Sequence, residues 1–192
     1  MQEIPESLKD AEEGIDRVAK ILAALREFSH PGSGEKEAVD LNHILKNALV
    51  VCSNEWKHVA EVVTDCAPDL PLAYCFPDLM NHVFLNLIIN SSHAIEAVKA
   101  TEPYKPSCIT IATRRNGEWV ELRVSDTGCG IPKEIQHRIF EPFFTTKEVG
   151  KGTGQGLAIV HDIVVKKHGG RIDCISELGQ GTTFLLSLPV NA

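Results

Sequence analysis

The spacing of apolar positions along this chain changes several times, and each change marks an expected element. Leu8, Ala11, Ile15, Val18, Leu22 and Leu25 recur every three or four residues, the seam of a coiled coil or helical bundle. Early acids (Glu12, Glu13, Asp16) and late bases (Lys20, Arg26) suit the dipole of one helix. Such a seam needs a partner, which predicts self-association. His30-Pro31-Gly32-Ser33-Gly34 then breaks the pattern and reads as a linker. A short strand is expected over 38–41, followed by a helix over 42–56 capped by Asp40 or Asn42. Residues 59–65 and 72–75 read as short strands either side of the turn Ala67-Pro68-Asp69. A long helix is expected over 77–100, with proline in its first turn. Segments 107–115 and 118–125 form a hairpin about Asn116-Gly117. A short helix near 133–139 and a longer one over 155–168, ended by Gly169-Gly170, come next. A last hairpin joins 171–176 to 182–188. This mixed order predicts an α+β fold, a two-layer sandwich with helices on one face of a mixed β-sheet, preceded by an N-terminal helix.

The helix over 77–100 carries an unusual stripe. His82, Asn86, Asn90 and His93 fall at steps of four, four and three and share one face. Leu79, Val83, Leu87 and Ile95 occupy the opposite face, which suits a core. Polar groups buried without partners cost about 1–3 kcal/mol each. The stripe is therefore either solvated and internally satisfied, or a ligand site.

Composition narrows the classes. A chain of 192 residues with 43% hydrophobic and 23% charged residues can bury one substantial core. The net charge of -7 argues against a general nucleic-acid binder, without excluding a local cationic site for a nucleotide. The 6 cysteines are scattered without a Cys-x-x-Cys pair, which reads as structural thiols in a reducing compartment. No apolar run approaches the roughly 18 residues a membrane span needs. The expectation is a cytoplasmic piece with no membrane contact of its own, whose parent protein could be anchored.

Two glycine-rich segments suggest chemistry. Asp126-Thr127-Gly128-Cys129-Gly130-Ile131 ends a strand, placing one carboxylate where backbone can approach a flat ligand closely. The exocyclic amine of adenine is a suitable donor to it; a plain tight turn is the alternative. Gly150-Lys151-Gly152-Thr153-Gly154-Gln155-Gly156-Leu157 alternates glycines into a helix start, an arrangement suited to phosphates or to a mobile lid. It lacks the spacing of a Walker loop, and Phe143-Phe144-Thr145-Thr146-Lys147 stands where a dinucleotide fold has a buried strand. Gly179-Gln180-Gly181-Thr182-Thr183-Phe184 reads as a hairpin turn bearing hydroxyls.

In this order and spacing, these pieces resemble the ATP-binding catalytic domain of sensor histidine kinases, within the superfamily shared with gyrase, heat-shock chaperone and mismatch-repair ATPases. The resemblance covers 39–189, with an asparagine box at 86–90, glycine boxes at 126–130 and 152–156, a phenylalanine box at 140–144 and a glycine-threonine turn at 179–183. It implies ATP and Mg2+ as cofactors. Asn90 would hold the metal, Asn86 would support the same ion or its waters, and His93 and Lys147 would face the phosphates. These four would be the catalytic set. Asp126 would take the adenine amine, helped by the hydroxyl of Thr182 or Thr183. Gly128, Gly130, Ile131, Phe144, Gly152, Thr153, Gly154, Gln155, Gly156 and Leu157 would complete the nucleotide contacts. Two departures stand out: Phe76, where relatives place a helix-capping aspartate, and Gln155, where leucine is common.

The same resemblance makes 1–31 the second helix of the dimerisation and phosphotransfer hairpin, 32–38 a linker and 39–192 the catalytic domain. It implies a homodimer in the full-length protein, an acceptor histidine on a helix outside this chain, and a response-regulator receiver domain as partner. Three other readings compete. A hydrolytic ATPase of the superfamily would need a glutamate base where Asn86 stands. A serine or threonine kinase of the anti-sigma or mitochondrial type fits the phenylalanine box and heptad helix poorly. A dimerisation module that binds nucleotide only structurally would not need Asn90, Asp126 and Lys147.

Overall fold

A computed structural model of the chain describes residues 34–99, 101–147 and 152–190. The expected seam from Leu8 to Leu25, the breaker cluster up to Ser33, and Gly150 and Lys151 lie outside them. Strand β1 (Glu37–Val39) leads into helix α1 (Leu41–Val51). Asp40 caps that helix, its Oδ1 accepting from the Asn42 and His43 amides at 2.8 and 3.3 Å. Asn42, the alternative cap, turns its side chain inward to the Ala67 carbonyl and the Thr113 hydroxyl, both at 2.8 Å. Leu41, Ile44, Leu45 and Ala48 recur at helical spacing and are buried. The expected single helix over 42–56 breaks at Cys52, and α2 (Ser53–Trp56) is a separate turn.

Strand β2 (Glu61–Cys66) and strand β3 (Ala73–Cys75) do not pair with each other. β3 pairs antiparallel with β1, while β2 runs parallel to β4 (Cys108–Asn116). Between β3 and β4 lies α3 (Pro77–Lys99), the central helix of the domain. Strand β5 (Trp119–Asp126), β6 (Arg171–Glu177) and β7 (Gly181–Pro189) complete a five-stranded sheet ordered β2-β4-β5-β7-β6. Every pairing in it is antiparallel except that of β2 with β4. Ile109, Ile111, Val120, Leu122, Val124, Phe184, Leu186 and Leu188 alternate onto one face, where Met80, Val83, Phe84, Leu87 and Ile88 of α3 meet them. The result is the expected α+β two-layer sandwich, with helices on one side of a mixed sheet. Among the described residues no helix is long and apolar enough to cross a membrane.

Three local expectations shift. The β4–β5 hairpin turns on Gly117 and Glu118, one residue later than Asn116-Gly117, because Asn116 still pairs with Trp119. Gly117 takes φ +61° while Glu118 does not take a positive φ, so only the first central position needs glycine. The segment Lys133–Arg138 winds as a tighter 3-10 turn. The helix expected over 155–168 divides into α4 (Gly156–His161) and a wider π-wound segment (Asp162–Lys167). That wider winding brings the His168 amide and ring Nδ1 to the Ile163 carbonyl, at 3.2 and 2.8 Å. The ring's Nε2 accepts the Phe76 amide at 2.9 Å. Phe76, with no side-chain oxygen to offer as a cap, is thus held at the start of α3 by a neutral histidine carrying its proton on Nδ1.

Candidate functional site

The stripe on α3 lies between core and solvent. Asn86, Asn90 and His93 are half-buried, and His82 is exposed. The Nδ2 of Asn86 donates to the His82 carbonyl at 2.8 Å, which fixes the amide and turns Oδ1 towards α4. A Cβ on Gly156 would stand 2.7 Å from that Oδ1 and 3.7 Å from the Nδ2 of Asn90. A side chain there would force the Asn86 amide or the start of α4 to shift.

Asn86, Asn90 and His93 line a cavity of about 390 Å³ together with Ile131, Phe144, Lys147, Gly152, Thr153, Gly154, Gly156 and Leu157. Across it the Lys147 ammonium donates to His93 Nδ1 at 2.7 Å. Burial first, and then the Lys147 charge, push the pKa of His93 below its usual value; burial also lowers that of Lys147. The His93 shift favours a neutral imidazole, which can accept from the Lys147 ammonium. Phe144 is held from outside by the Arg138 guanidinium, 4.5 Å from its ring centroid.

Asp126 ends β5 and is 8% exposed. Its Oδ1 accepts the Gly128 amide at 2.9 Å and the Thr182 amide at 3.3 Å, and Oδ2 accepts the Ser91 hydroxyl of α3 at 3.3 Å. Burial raises its pKa, and these donors, with the charge of Lys105, oppose the rise. The sheet register sets Asp126 opposite Thr182, and Thr182 opposite Ser176, on the helix-covered face. Thr183 points to the other face, where its hydroxyl meets Ser125 at 2.9 Å. Asp126, Thr182 and Thr183 border a second cavity of about 440 Å³. Gly128, Gly130 and Gln155 border neither. Gly128 instead permits close packing on α3, since a Cβ there would lie 2.6 Å from that of Ala94.

Sequence reasoning missed several participants. Ile89, Ile135, Ile139, Thr145 and Thr146 also line the first cavity. The isoleucines give it an apolar wall, and their helical spacing is that of ordinary core. Ser91 escaped notice because it follows Asn90 one step round the helix, off the stripe.

With this geometry in place, the likenesses to known proteins can be stated. Residues 76–192 match the family described as histidine kinase-, DNA gyrase B-, and HSP90-like ATPase. The chain is 36% identical over 177 residues to the sensor histidine kinase ZraS of Escherichia coli, covering 92% of this chain and 36% of ZraS. It is 32% identical over 197 residues to the sensor kinase CckA of Brucella abortus, covering 95% of this chain and 20% of CckA. The chain thus spans about a third or less of these curated relatives. Among solved structures, the nucleotide-free catalytic domain of the histidine kinase ThkA superposes with TM-score 0.69 at 26% identity, covering 82% of this chain and 97% of that one. ShkA in complex with AMPPNP superposes with TM-score 0.67 at 22% identity, covering 98% of this chain and 39% of that one, a likeness of fold. The chain belongs to the histidine kinase-, DNA gyrase B-, and HSP90-like ATPase family, as an ATP-binding domain of the sensor histidine kinase kind.

Proposed function

We propose that this chain is the catalytic part of a two-component sensor kinase and passes the γ-phosphoryl group of Mg-ATP to a histidine. The observation that carries the reading is the arrangement of Asn86, Asn90, His93 and Lys147 around one cavity that Gly152, Gly154 and Gly156 also line. Lys147 and His93 meet the phosphates, and Asp126 with Thr182 meets the base. The two asparagine amides suit Mg2+, a hard cation that takes oxygen ligands and keeps several waters. Asn90 would hold the ion and Asn86 would steady it or its waters. When bound, the ion would supply charge neutralisation at the phosphates. The residues contribute positioning and electrostatics, the main requirements of phosphoryl transfer.

Asn86 also separates this reading from hydrolysis. An amide one helical turn before Asn90 cannot take a proton from water, so water is a poor acceptor in this site. The acceptor histidine would come from a helix outside this chain, with a receiver domain receiving the phosphoryl group afterwards, in a dimeric cytoplasmic assembly. Calorimetric titration with ATP and GTP, with and without Mg2+, tests the assignments. Asn90→Ala should weaken Mg-ATP far more than metal-free ATP. Equal binding of ATP and GTP would reject the role of Asp126, and equal losses with and without the metal would reject that of Asn90.

A further inference from the structure

Two turns bracket the buried carboxylate of Asp126, and each contributes one amide to its Oδ1: Gly128 from the turn after β5, and Thr182 from the far side of the β6–β7 hairpin. Whatever fixes these turns relative to each other also fixes the direction in which Asp126 presents its acceptor oxygens. Lys105, in the irregular stretch between α3 and β4, does so directly. Its ammonium donates to the Gly128 carbonyl at 3.2 Å and to the Gly179 carbonyl at 2.6 Å.

Around that ammonium the backbone bonds close a ring. The Gly179 amide donates to the Cys129 carbonyl at 2.8 Å, and the Cys129 amide donates to the Ala94 carbonyl of α3 at 3.1 Å. The peptide between Gly128 and Cys129 is thus held at its oxygen by Lys105 and at its nitrogen by α3. The neighbouring segment reinforces the same turn, since the Thr127 hydroxyl donates to the Pro106 carbonyl at 2.7 Å and accepts the Cys108 amide at 3.0 Å. Lys105 also brings a positive charge close enough to oppose the rise that burial imposes on the Asp126 pKa. The groups acting on that carboxylate are Ser91 of α3, the Gly128 and Thr182 amides, and Lys105, while the Cys174 thiol of β6, pushed up to about 11 by burial and by the Asp126 charge, stays protonated beside it.

We propose that Lys105 is a positioning residue for base recognition, binding one carbonyl from each turn that supplies an amide to Asp126 and so setting the nucleobase selectivity of the site. The inference rests on the ATP-binding reading and adds to it a residue outside every glycine or asparagine motif. A hydrogen bond to a charged donor contributes more than a neutral one, and losing two of them frees both turns.

The test compares ATP and GTP dissociation constants by calorimetry for the wild-type chain, Lys105→Met and Lys105→Arg, each as a function of pH. Methionine keeps most of the stem and removes the charge and both donors. Lys105→Met should reduce the ATP-over-GTP preference by about tenfold. It should also move the acid-side loss of ATP binding to higher pH. Lys105→Arg should restore most of the preference and return the acid limb towards its original position. Should Lys105→Met not fold, Lys105→Ala, which likewise lacks the charge and both donors, serves the same comparison. A wild-type chain without base preference would reject the assignment of Asp126. A preference kept in full by the folded methionine or alanine variant would overturn the role of Lys105, as would a loss in which both nucleotides weaken equally.

Discussion

Lys147 and His93 meet end to end across the cavity, the ammonium donating to the imidazole Nδ1 at 2.7 Å. Each is a cation-capable group in a site proposed for a polyphosphate, and in the free protein each occupies the other. Because the Lys147 charge helps to depress the His93 pKa, removing it should let that pKa rise towards 6.5. Lys147→Met should show this upward shift in an NMR titration of His93. The same variant should weaken ATP about tenfold and leave adenosine nearly unaffected, because the proposed partners of its ammonium are the phosphates. A His93 titration identical in the two proteins would show that the contact does not persist in solution.

The carboxylate of Asp126 predicts a pH limit on binding. Burial raises its pKa above the ordinary 3.8, so it takes up a proton at a higher pH than an exposed aspartate. Only the ionised form offers acceptor oxygens alone to the adenine amine. ATP affinity should fall as the pH drops through that raised value, and Asp126→Asn should bind weakly with the acid limb removed. A limb of unchanged position in Asp126→Asn would place the titrating group elsewhere.

Gly156→Ala separates stability from function. In an open helix the change would stabilise by about 0.5–1 kcal/mol. Here the new Cβ would stand 2.7 Å from the Asn86 Oδ1, so either the Asn86 amide leaves its bond to the His82 carbonyl or the start of α4 moves off the asparagine face. The expected variant melts close to the wild type but binds Mg-ATP at least tenfold more weakly. Wild-type affinity would show that α4 and Asn86 are less closely packed than described.

His168 joins the central helix to the π-wound segment and holds both partners as a neutral ring. Burial depresses its pKa below 6.5, aided by the charge of Lys36. A lowered folded pKa means the unfolded chain binds the proton more readily, so the contribution is complete above about pH 6.5 and is lost as pH falls towards the folded value. Denaturant midpoints should therefore decline on the acid side of pH 6.5. In His168→Ala the decline should be shallower, and the baseline lower by about 1–3 kcal/mol for each backbone group left unpaired. Parallel pH profiles for the two proteins would reject the clamp.

Much of this arrangement was legible in the sequence because its signals are local. The step of four, four and three along α3 places three of its four polar residues in one cavity, and paired glycines mark the turns on either side of Asp126. Signals that depend on distant partners were not legible. The register that opposes Asp126 to Thr182, and turns Thr183 to the other face, spans 56 residues and is decided only once β5 and β7 pair. The bond between Phe76 and His168 spans 92 residues, and nothing near either one announces it. Likewise β2 and β3 look alike as short β-rich runs, yet they enter different sheets because α3 must cross between β2 and its parallel neighbour. The π-wound segment was hidden because Ile163, Val164 and Val165 are compatible with either helical period.

The central claim is transfer of a phosphoryl group to a histidine supplied from outside this chain. The most direct measurement incubates the chain with γ-labelled ATP and Mg2+, alone and with a separate polypeptide carrying the acceptor hairpin of its parent kinase. The account predicts no label on the chain alone, because the acceptor histidine is proposed to come from a helix outside this chain, presented in line with the γ-phosphorus. With the hairpin present, label should appear on that polypeptide, stable to base and labile to acid, and Asn90→Ala or Lys147→Met should suppress it. Acid-labile label on the chain by itself, or no transfer to the hairpin while ATP is bound, would contradict the account.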